Sequence, residues 1–368
     1  MLNIQKFIRE NSLQEAIDKW NLKIYEEDGL IQLNYHLINS PKGIPEVDEC
    51  RGLILRKDTF DIVVYPFHRF YNYGEGPAAK VNLNTAKLQE KADGSMIILY
   101  FNPITNKWNA ATRGRIFADG PVGIFNKTFN ELFCSTLYKN KIDLQYLLPN
   151  INFIFELIGP ENRILTKYDN NELVLTGARN IINCQELDEV ELDLYAKFFH
   201  VRRPKEFSFN SMDSIKELFN SIDPLDEGFV LIDYNGMNNG SYNRVKIKNP
   251  RYLAIHHCLN AGEGELFTKE KIVNIIRIGE IDELISYFPE YTDKFIEVKN
   301  TFNKLIDDIA NVFESIKHLG TNRKEFALAA TKYKFSGALF MLLDGKIKDG
   351  KEFLMKMNED NLYKLLNI

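Results

Sequence analysis

The sequence predicts an α+β protein in two parts, a body built mainly of antiparallel strands over 1–255 and an all-α domain over 256–368. Two patterns carry that prediction. Short apolar or alternating runs, separated by Gly, Pro and Asn, recur to about residue 250 and read as strands. From Phe295 onward the apolar residues Phe295, Val298, Phe302, Leu305, Ile309 and Val312 instead recur every three or four positions. That is the period of a helix, and similar spacing continues through Phe326–Leu343 and Phe353–Leu366.

The elements follow in order. Met1–Trp20 reads as a polar amphipathic helix. Strands are expected at Gly29–Leu37, Gly52–Arg56 and Asp61–Tyr65, with Pro41, Gly43 and Pro45 punctuating the gap between the first two. An aromatic and basic run, Pro66-Phe67-His68-Arg69-Phe70-Tyr71-Asn72, comes next. Lys87-Leu88-Gln89-Glu90 is a polar approach to Lys91-Ala92-Asp93-Gly94-Ser95, and Met96–Phe101 reads as the strand behind it. Asn102–Asn106 has hairpin-loop chemistry, with Lys107–Arg113 returning. Pro121 opens a helical pattern to about Lys139 through Phe125, Phe129, Leu132 and Phe133. Strand patterns resume at Phe153–Ile158, Glu172–Gly177, Gly228–Tyr234 and Arg244–Lys248.

Composition narrows the function classes. With 368 residues, 45% hydrophobic and 12% aromatic, the chain can build packed cores. A net charge of −5 excludes a generally cationic nucleic-acid binder, so any such contact needs a local basic patch. Cys50, Cys134, Cys184 and Cys258 are scattered, without a C-x-x-C pair, which argues against zinc ribbons and for a reducing compartment. No stretch is apolar enough for a signal core or a membrane span, so a soluble cytoplasmic protein is expected, with no obligate protein partner evident.

Some motifs are set aside. Gly74-Glu75-Gly76-Pro77-Ala78-Ala79 matches a dinucleotide fingerprint in letters, but it follows an aromatic loop and Pro77 spoils the turn. His256-His257-Cys258 are adjacent, which suits helix packing better than shared metal ligation.

The candidate chemistry gathers around Lys91. A lysine beside Asp-Gly at the mouth of a strand is a nucleophile candidate with its own turn. Asp93 can orient the amine or a ribose, and Gly94 permits close backbone approach or a positive φ. Glu49-Cys50-Arg51-Gly52 and Arg69 lie upstream. Glu156 sits mid-strand between Phe155 and Leu157, where an ionised carboxylate is costly unless paired. Glu227 opens an apolar strand. Lys246 and Lys248 share one strand face, where two ammonium groups repel unless an anion joins them. A free lysine has a pKa of about 10.4, so such a nucleophile needs nearby positive charge to be neutral at pH 7.

In this order the motifs resemble the covalent nucleotidyltransferases, the superfamily of ATP-dependent ligases and capping enzymes. They stand as K-A-D-G-S at Lys91, F-E-L-I at Phe155, E-G-F-V at Glu227 and K-I-K at Lys246. The chain is most similar to the bacteriophage RNA ligase 1 family, sharing E-C-R-G at Glu49, P-F-H-R-F-Y-N at Pro66, P-E-N-R-I at Pro160 and a helical C-terminal region. The resemblance is strong over 30–255 and weaker beyond, where Asp282-Glu283-Leu284 continues it.

It implies an antiparallel-sheet nucleotidyltransferase domain of the ATP-grasp-like ligase kind and an ATP-dependent RNA ligase. Lys91 would become lysyl-AMP, pass AMP to an RNA 5′-phosphate, and so permit attack by an RNA 3′-hydroxyl. Lys246 and Lys248 would grip the α-phosphate, and Arg51 and Arg69 the β- and γ-phosphates. Glu156 would contact ribose or metal, and Glu227 would organise Mg²⁺ or Mn²⁺. Tyr35 matches a nucleotide-site tyrosine, Tyr252 a residue needed for sealing, and Asp282 a second cation position. The helical domain would recognise RNA, with cleaved tRNA the implied partner. Arg69 and Arg113 depart from the family in replacing lysines, which changes hydrogen-bond geometry while keeping charge. Segment lengths also differ around 181–226. Capping guanylyltransferases and DNA ligases use the same lysine but usually carry a β-barrel after K-I-K. A silent RNA-end-binding protein would have lost Lys91, Glu227 or the paired lysines.

Overall fold

The structure, a computed structural model, describes residues 1–123, 126–139, 142–223, 225–253, 267–279, 281–282, 285 and 291–368. It divides into two compact units, Met1–His256 and His257–Ile368. The motif His256-His257-Cys258 and residues Phe125, Glu283 and Leu284 lie outside the described residues.

The first unit opens with two helices, not one: α1 (Asn3–Glu10) and α2 (Leu13–Trp20). Ser12 divides them because its hydroxyl accepts the Glu15 amide at 3.1 Å and starts a new N-terminus. Strands β1 (Leu22–Glu27), β2 (Leu30–Tyr35), β3 (Arg51–Arg56) and β4 (Ile62–Val64) form an antiparallel sheet in chain order. The short helix α3 (Pro45–Asp48) precedes Arg51.

Two further sheets share the nucleophile region. The larger contains β6 (Ser95–Asn102), β7 (Lys107–Thr112), β8 (Ile151–Ile158), β9 (Glu172–Asn180) and β10 (Gln185–Glu186), ordered β10-β9-β8-β6-β7. The smaller contains β5 (Ala86–Glu90), β11 (Glu206–Phe207), β12 (Gly228–Asn238) and β13 (Ser241–Lys248), ordered β11-β5-β12-β13. The polar approach Lys87–Glu90 is thus a strand, paired with β12 on one side and β11 on the other. Pairing with two neighbours overrides its weak intrinsic strand preference.

Helix α4 (Phe129–Tyr138) begins eight residues later than the periodicity suggests. Thr128 caps it: the Thr128 hydroxyl accepts the Glu131 amide at 3.2 Å, and the Glu131 carboxylate accepts the Thr128 amide at 2.7 Å. Pro121 instead pairs with Thr128 in an isolated bridge. Helices α5 (Glu189–Phe199) and α6 (Met212–Leu218) fill the stretch where no element was expected.

The sheets meet their helices and one another through apolar layers. Phe133, Phe153, Phe155 and Phe199 join the large sheet to α4 and α5. Leu30, Ile54, Val64, Ile98 and Tyr100 join it to the first sheet. Leu88, Ile215, Phe229, Val245 and Ile247 join the small sheet to α6. Because Val245 and Ile247 point into that core, Arg244, Lys246 and Lys248 fall on the opposite face.

The second unit is helical where it is described: α7 (Lys269–Ile278), α8 (Thr292–Ile316), α9 (Arg323–Ala330), α10 (Ser336–Leu343), α11 (Gly350–Lys356) and α12 (Glu359–Leu366). The expected stripe is buried in α8 through Phe295, Val298, Phe302 and Ile309. The Phe326–Leu343 pattern is divided between α9 and α10, and Phe353–Leu366 between α11 and α12. Asn322 and Asn358 supply N-caps for α9 and α12.

Candidate active site

Lys91 stands where the chain leaves the small sheet for the large one. Its amide donates to the Gly228 carbonyl at 2.8 Å, extending the β5–β12 pairing by one residue. Four residues later Ser95 begins β6, opposite Leu157 of β8. The side chain forms an ion pair with Glu227, immediately before β12. Gly228 faces Lys248 in register, and Val230 faces Lys246. Met96 faces Glu156 on β8. Strand pairing alone therefore gathers the nucleophile candidate, both carboxylates and both lysines.

Two glycines permit this approach. A Cβ on Gly94 would collide with the Leu157 carbonyl oxygen and lie 2.8 Å from Ile158 Cγ2. Gly228 has φ of +127°, and a Cβ there would lie 2.8 Å from both the Asn249 nitrogen and Lys248 Cα. Gly94→Ala is therefore expected to displace the 91–95 turn from β8, at about 1–3 kcal/mol in stability. Thermal unfolding should register that loss.

The residues so assembled line a cavity of about 270 Å³. Its wall carries the cations Arg51, Lys91, Arg113, Arg244, Lys246 and Lys248, the carboxylates Glu90, Glu156 and Glu227, and apolar surface from Phe67, Phe70, Met96, Val230 and Ile232. Tyr35 lines it as well, with the Arg69 and Arg113 guanidinium carbons 4.2 and 4.4 Å from its ring centre. Lys246 lies over Phe70 at 5.3 Å. Glu90 is engaged by Arg202. An excess of fixed positive charge beside an apolar wall suits a polyanion with a planar aromatic group.

Burial sets the electrostatics. Desolvation raises the Glu156 carboxyl to about 7; Lys91 and Arg51 pull it down, while Glu227 and Asp93 push it up. Burial also lowers Arg51 from the ordinary arginine range, with Arg113 and Arg244 adding repulsion and Glu156 opposing them.

Asp93 and Tyr252 meet on another side of the turn. Asp93, 2% exposed, accepts from the Leu165 and Thr166 amides at 2.9 Å each and from the Tyr252 hydroxyl at 2.9 Å. Neither residue lines the cavity. The carboxylate expected to face ribose or amine instead ties the 165–166 loop and Tyr252 to the nucleophile turn. Burial and the Asp93 and Glu227 charges hold the Tyr252 hydroxyl far above the ordinary tyrosine range.

Arg69 borders the cavity through Tyr35. Its amide donates to the Asp48 carbonyl at 2.7 Å, and its side chain stacks on Tyr35 while lining a neighbouring cavity with Asp48 and Tyr71. Asp282 belongs to the second unit, where it pairs with Lys299 at 2.5 Å. Arg244 and Phe70 also line the cavity without belonging to an expected site position; the two-residue spacing of Arg244 from Lys246 is the signal for the first. Among the described residues no three His, Cys, Asp or Glu side chains form a metal-binding group.

Comparison with known proteins gives a concordant grouping. Residues 49–252, more than half of the chain, match the profile of a family described as RNA ligase. The chain is 26% identical over 422 residues to an RNA ligase of Rhodothermus phage RM378, covering 95% of this chain and 94% of that one. It is 29% identical over 330 residues to a putative bifunctional polynucleotide kinase/RNA ligase of Autographa californica nuclear polyhedrosis virus, covering 82% of this chain but only 44% of the viral protein. Among solved structures it is similar to an archaeal ATP-dependent RNA ligase, with a TM-score of 0.48, 13% identity and 83% of each chain covered.

Proposed function

The chain belongs to the bacteriophage RNA ligase 1 family, and on that premise we propose that it is an ATP-dependent RNA ligase joining 5′-phosphate to 3′-hydroxyl ends. The observation that carries this reading is the Lys91–Glu227 pair on the wall of a cavity lined by five further cations, Arg51, Arg113, Arg244, Lys246 and Lys248. A nucleophilic amine beside fixed positive charge suits attack on a phosphoanhydride.

In the first step the neutral Lys91 amine attacks the α-phosphorus of ATP. The N–P bond forms, the α–β phosphoanhydride bond breaks, its electron pair leaves on pyrophosphate, and the amine's excess proton goes to solvent. The RNA 5′-phosphate then attacks the lysyl-AMP phosphorus and regenerates the lysine. Finally the 3′-hydroxyl attacks the RNA-adenylate, loses its proton and expels AMP. Lys246 and Lys248 offset charge on the α-phosphate oxygens, and Arg51 and Arg113 hold the departing phosphates. Tyr35, braced by two guanidiniums, bounds the nucleotide. Asp93, Gly94 and Tyr252 fix the turn from which Lys91 reaches.

Glu156 and Glu227 fit a divalent ion of the Mg²⁺ or Mn²⁺ type, with triphosphate oxygens and water completing its shell. Such an ion would offset phosphate charge and engage Glu227 in place of Lys91. The helical second unit supports an RNA-repair ligase over capping enzymes and DNA ligases, and we assign it to RNA recognition, with cleaved tRNA as the candidate substrate. No helix among the described residues is long and apolar enough to cross a membrane. The free thiols at Cys50, Cys134 and Cys184 support action in the cytoplasm.

The test mixes the protein with Mg²⁺ and α-labelled ATP, denatures it and follows the label. Wild-type chain should carry label that transfers to 5′-phosphorylated RNA. An unlabelled wild-type chain would end the ligase reading. Nicked stem-loops compared with linear strands would then report the preferred end structure.

A further inference from the structure

We propose that Arg244 grips the pyrophosphate end of ATP, the station that the resemblance implies for Arg51 and Arg69. The proposal rests on the ligase reading above and adds a residue together with the part of the substrate that it holds.

Position is the first argument. Arg244, Lys246 and Lys248 occupy alternate places on β13, and all three line the cavity. Their order relative to Lys91 is fixed by register. Lys248 faces Gly228, beside Glu227, whose carboxylate pairs with Lys91. Lys246 faces Val230, and Arg244 faces Ile232. At a rise of about 3.3 Å per residue, Arg244 lies roughly 13 Å along the strand from Lys248. A triphosphate with its α-phosphorus at Lys91 and its tail along this stripe extends its β- and γ-phosphates toward Arg244. Arg51 and Arg244 are close enough to repel across the same wall, and an anion between them relieves that repulsion.

The second argument is how the guanidinium is held. Arg244 is only 7% exposed. Its Nη2 pairs with Glu186, which also binds Arg179 at 2.9 Å, and its plane lies 4.2 Å from the centre of the Phe67 ring. One edge and one face are therefore fixed. Its Nε–H is buried and has no hydrogen-bond partner among the described residues, a donor that an acceptor oxygen would satisfy once the side chains covering it give way. Glu186 holds the guanidinium in one orientation, and a charge-assisted hydrogen bond to a phosphate oxygen suits a donor fixed in this way.

Arg244 lines both this cavity and the adjoining one, whereas Arg69 lines the adjoining one and stacks on Tyr35. His68 is held neutral, its imidazole lowered to about 3 by burial and by the Arg179 and Arg244 charges.

A grip on pyrophosphate helps only the step that expels it. When Lys91 takes the adenylate, negative charge collects on the departing β-phosphate oxygen; when the 3′-hydroxyl seals the RNA, the leaving group is AMP. The experiment uses the full chain and two reactions: labelling by α-labelled ATP, and sealing of RNA already carrying a 5′-adenylate, which needs no ATP. Arg244→Met should raise KM for ATP about tenfold or more and weaken inhibition by added pyrophosphate by a similar factor, the order expected for losing a charged hydrogen bond. Arg244→Lys and Glu186→Gln should fall between that variant and wild type, and the sealing reaction should lose several-fold less than labelling. An unchanged KM and pyrophosphate inhibition, or equal loss in both reactions, would overturn the proposal and leave Arg244 a structural residue. Wild-type chain that takes no label would bring down the ligase reading and this one with it, whereas labelled wild type with an unaffected Arg244→Met chain defeats this one alone.

Discussion

Lys91→Ala should fold normally and take no label from α-labelled ATP under conditions that label the wild-type chain fully. The lysine side chain is 23% exposed and its partner Glu227 is 12% exposed, so truncation opens no deep apolar void. It does leave Glu227 without its cation, partly offset by Lys248 and the cavity's other charges. The melting temperature should therefore move by only a few degrees. The chemical loss should be total because Lys91 is the amine proposed to carry the adenylate, and alanine leaves no nitrogen at that position. Lys91→Arg should fail as well, since a guanidinium does not surrender its proton near neutral pH. RNA that already carries a 5′-adenylate bypasses this step, so the alanine chain should retain some sealing of it. Undiminished label on Lys91→Ala would exclude this lysine as the carrier.

Glu156→Gln should abolish labelling and yet stabilise the empty protein in alkaline buffer. The physical source is the carboxyl raised to about 7 by burial. A carboxyl with a folded pKa above its unfolded value destabilises the fold whenever it must ionise. That penalty is absent below about 4.5, grows as pH rises toward 7, and is complete above it. The displacement of the pKa corresponds to about 3 kcal/mol at most, reduced by the charges of Lys91 and Arg51. Unfolding of wild type and Glu156→Gln at pH 5 and pH 8.5 should show the glutamine chain gaining at the higher pH only. Labelling by wild type should rise with pH through the same region as Glu156 ionises to meet ribose or metal. Equal stability differences at both pH values would mean that Glu156 is ionised without penalty.

The sequence made much of this site legible because strand geometry converts spacing into direction. Lys246 and Lys248 share a face once Val245 and Ile247 are buried, and Glu227 precedes a strand that can only begin with its apolar run. Lys91 was marked by its turn. What spacing does not encode is which cation faces the cavity after three sheets have docked. The stations of Arg69 and Arg244 are set by stacking on Tyr35 and pairing with Glu186, which are contacts between distant segments. Asp93 was legible as important, but its partners at 165, 166 and 252 come from loops without periodicity. The strand β5 was missed because its apolar content is slight and its pairing, not its composition, makes it a strand. The helices α5 and α6 lie in the segment whose length departs from the family pattern.

The crossing at residues 91–95 has one more implication, for how the reaction is timed. With the Lys91 amide bonded to β12 and Ser95 already seated in β6, the main chain there resembles a shoulder with the joint locked. In the proposed reaction, movement of the adenylate between donor and acceptor would fall to the four methylenes of the side chain, an arm that swings in nanoseconds. Turnover should then be limited by arrival and departure of the large substrates, and a viscous medium should slow it where it leaves the single-turnover chemical step untouched.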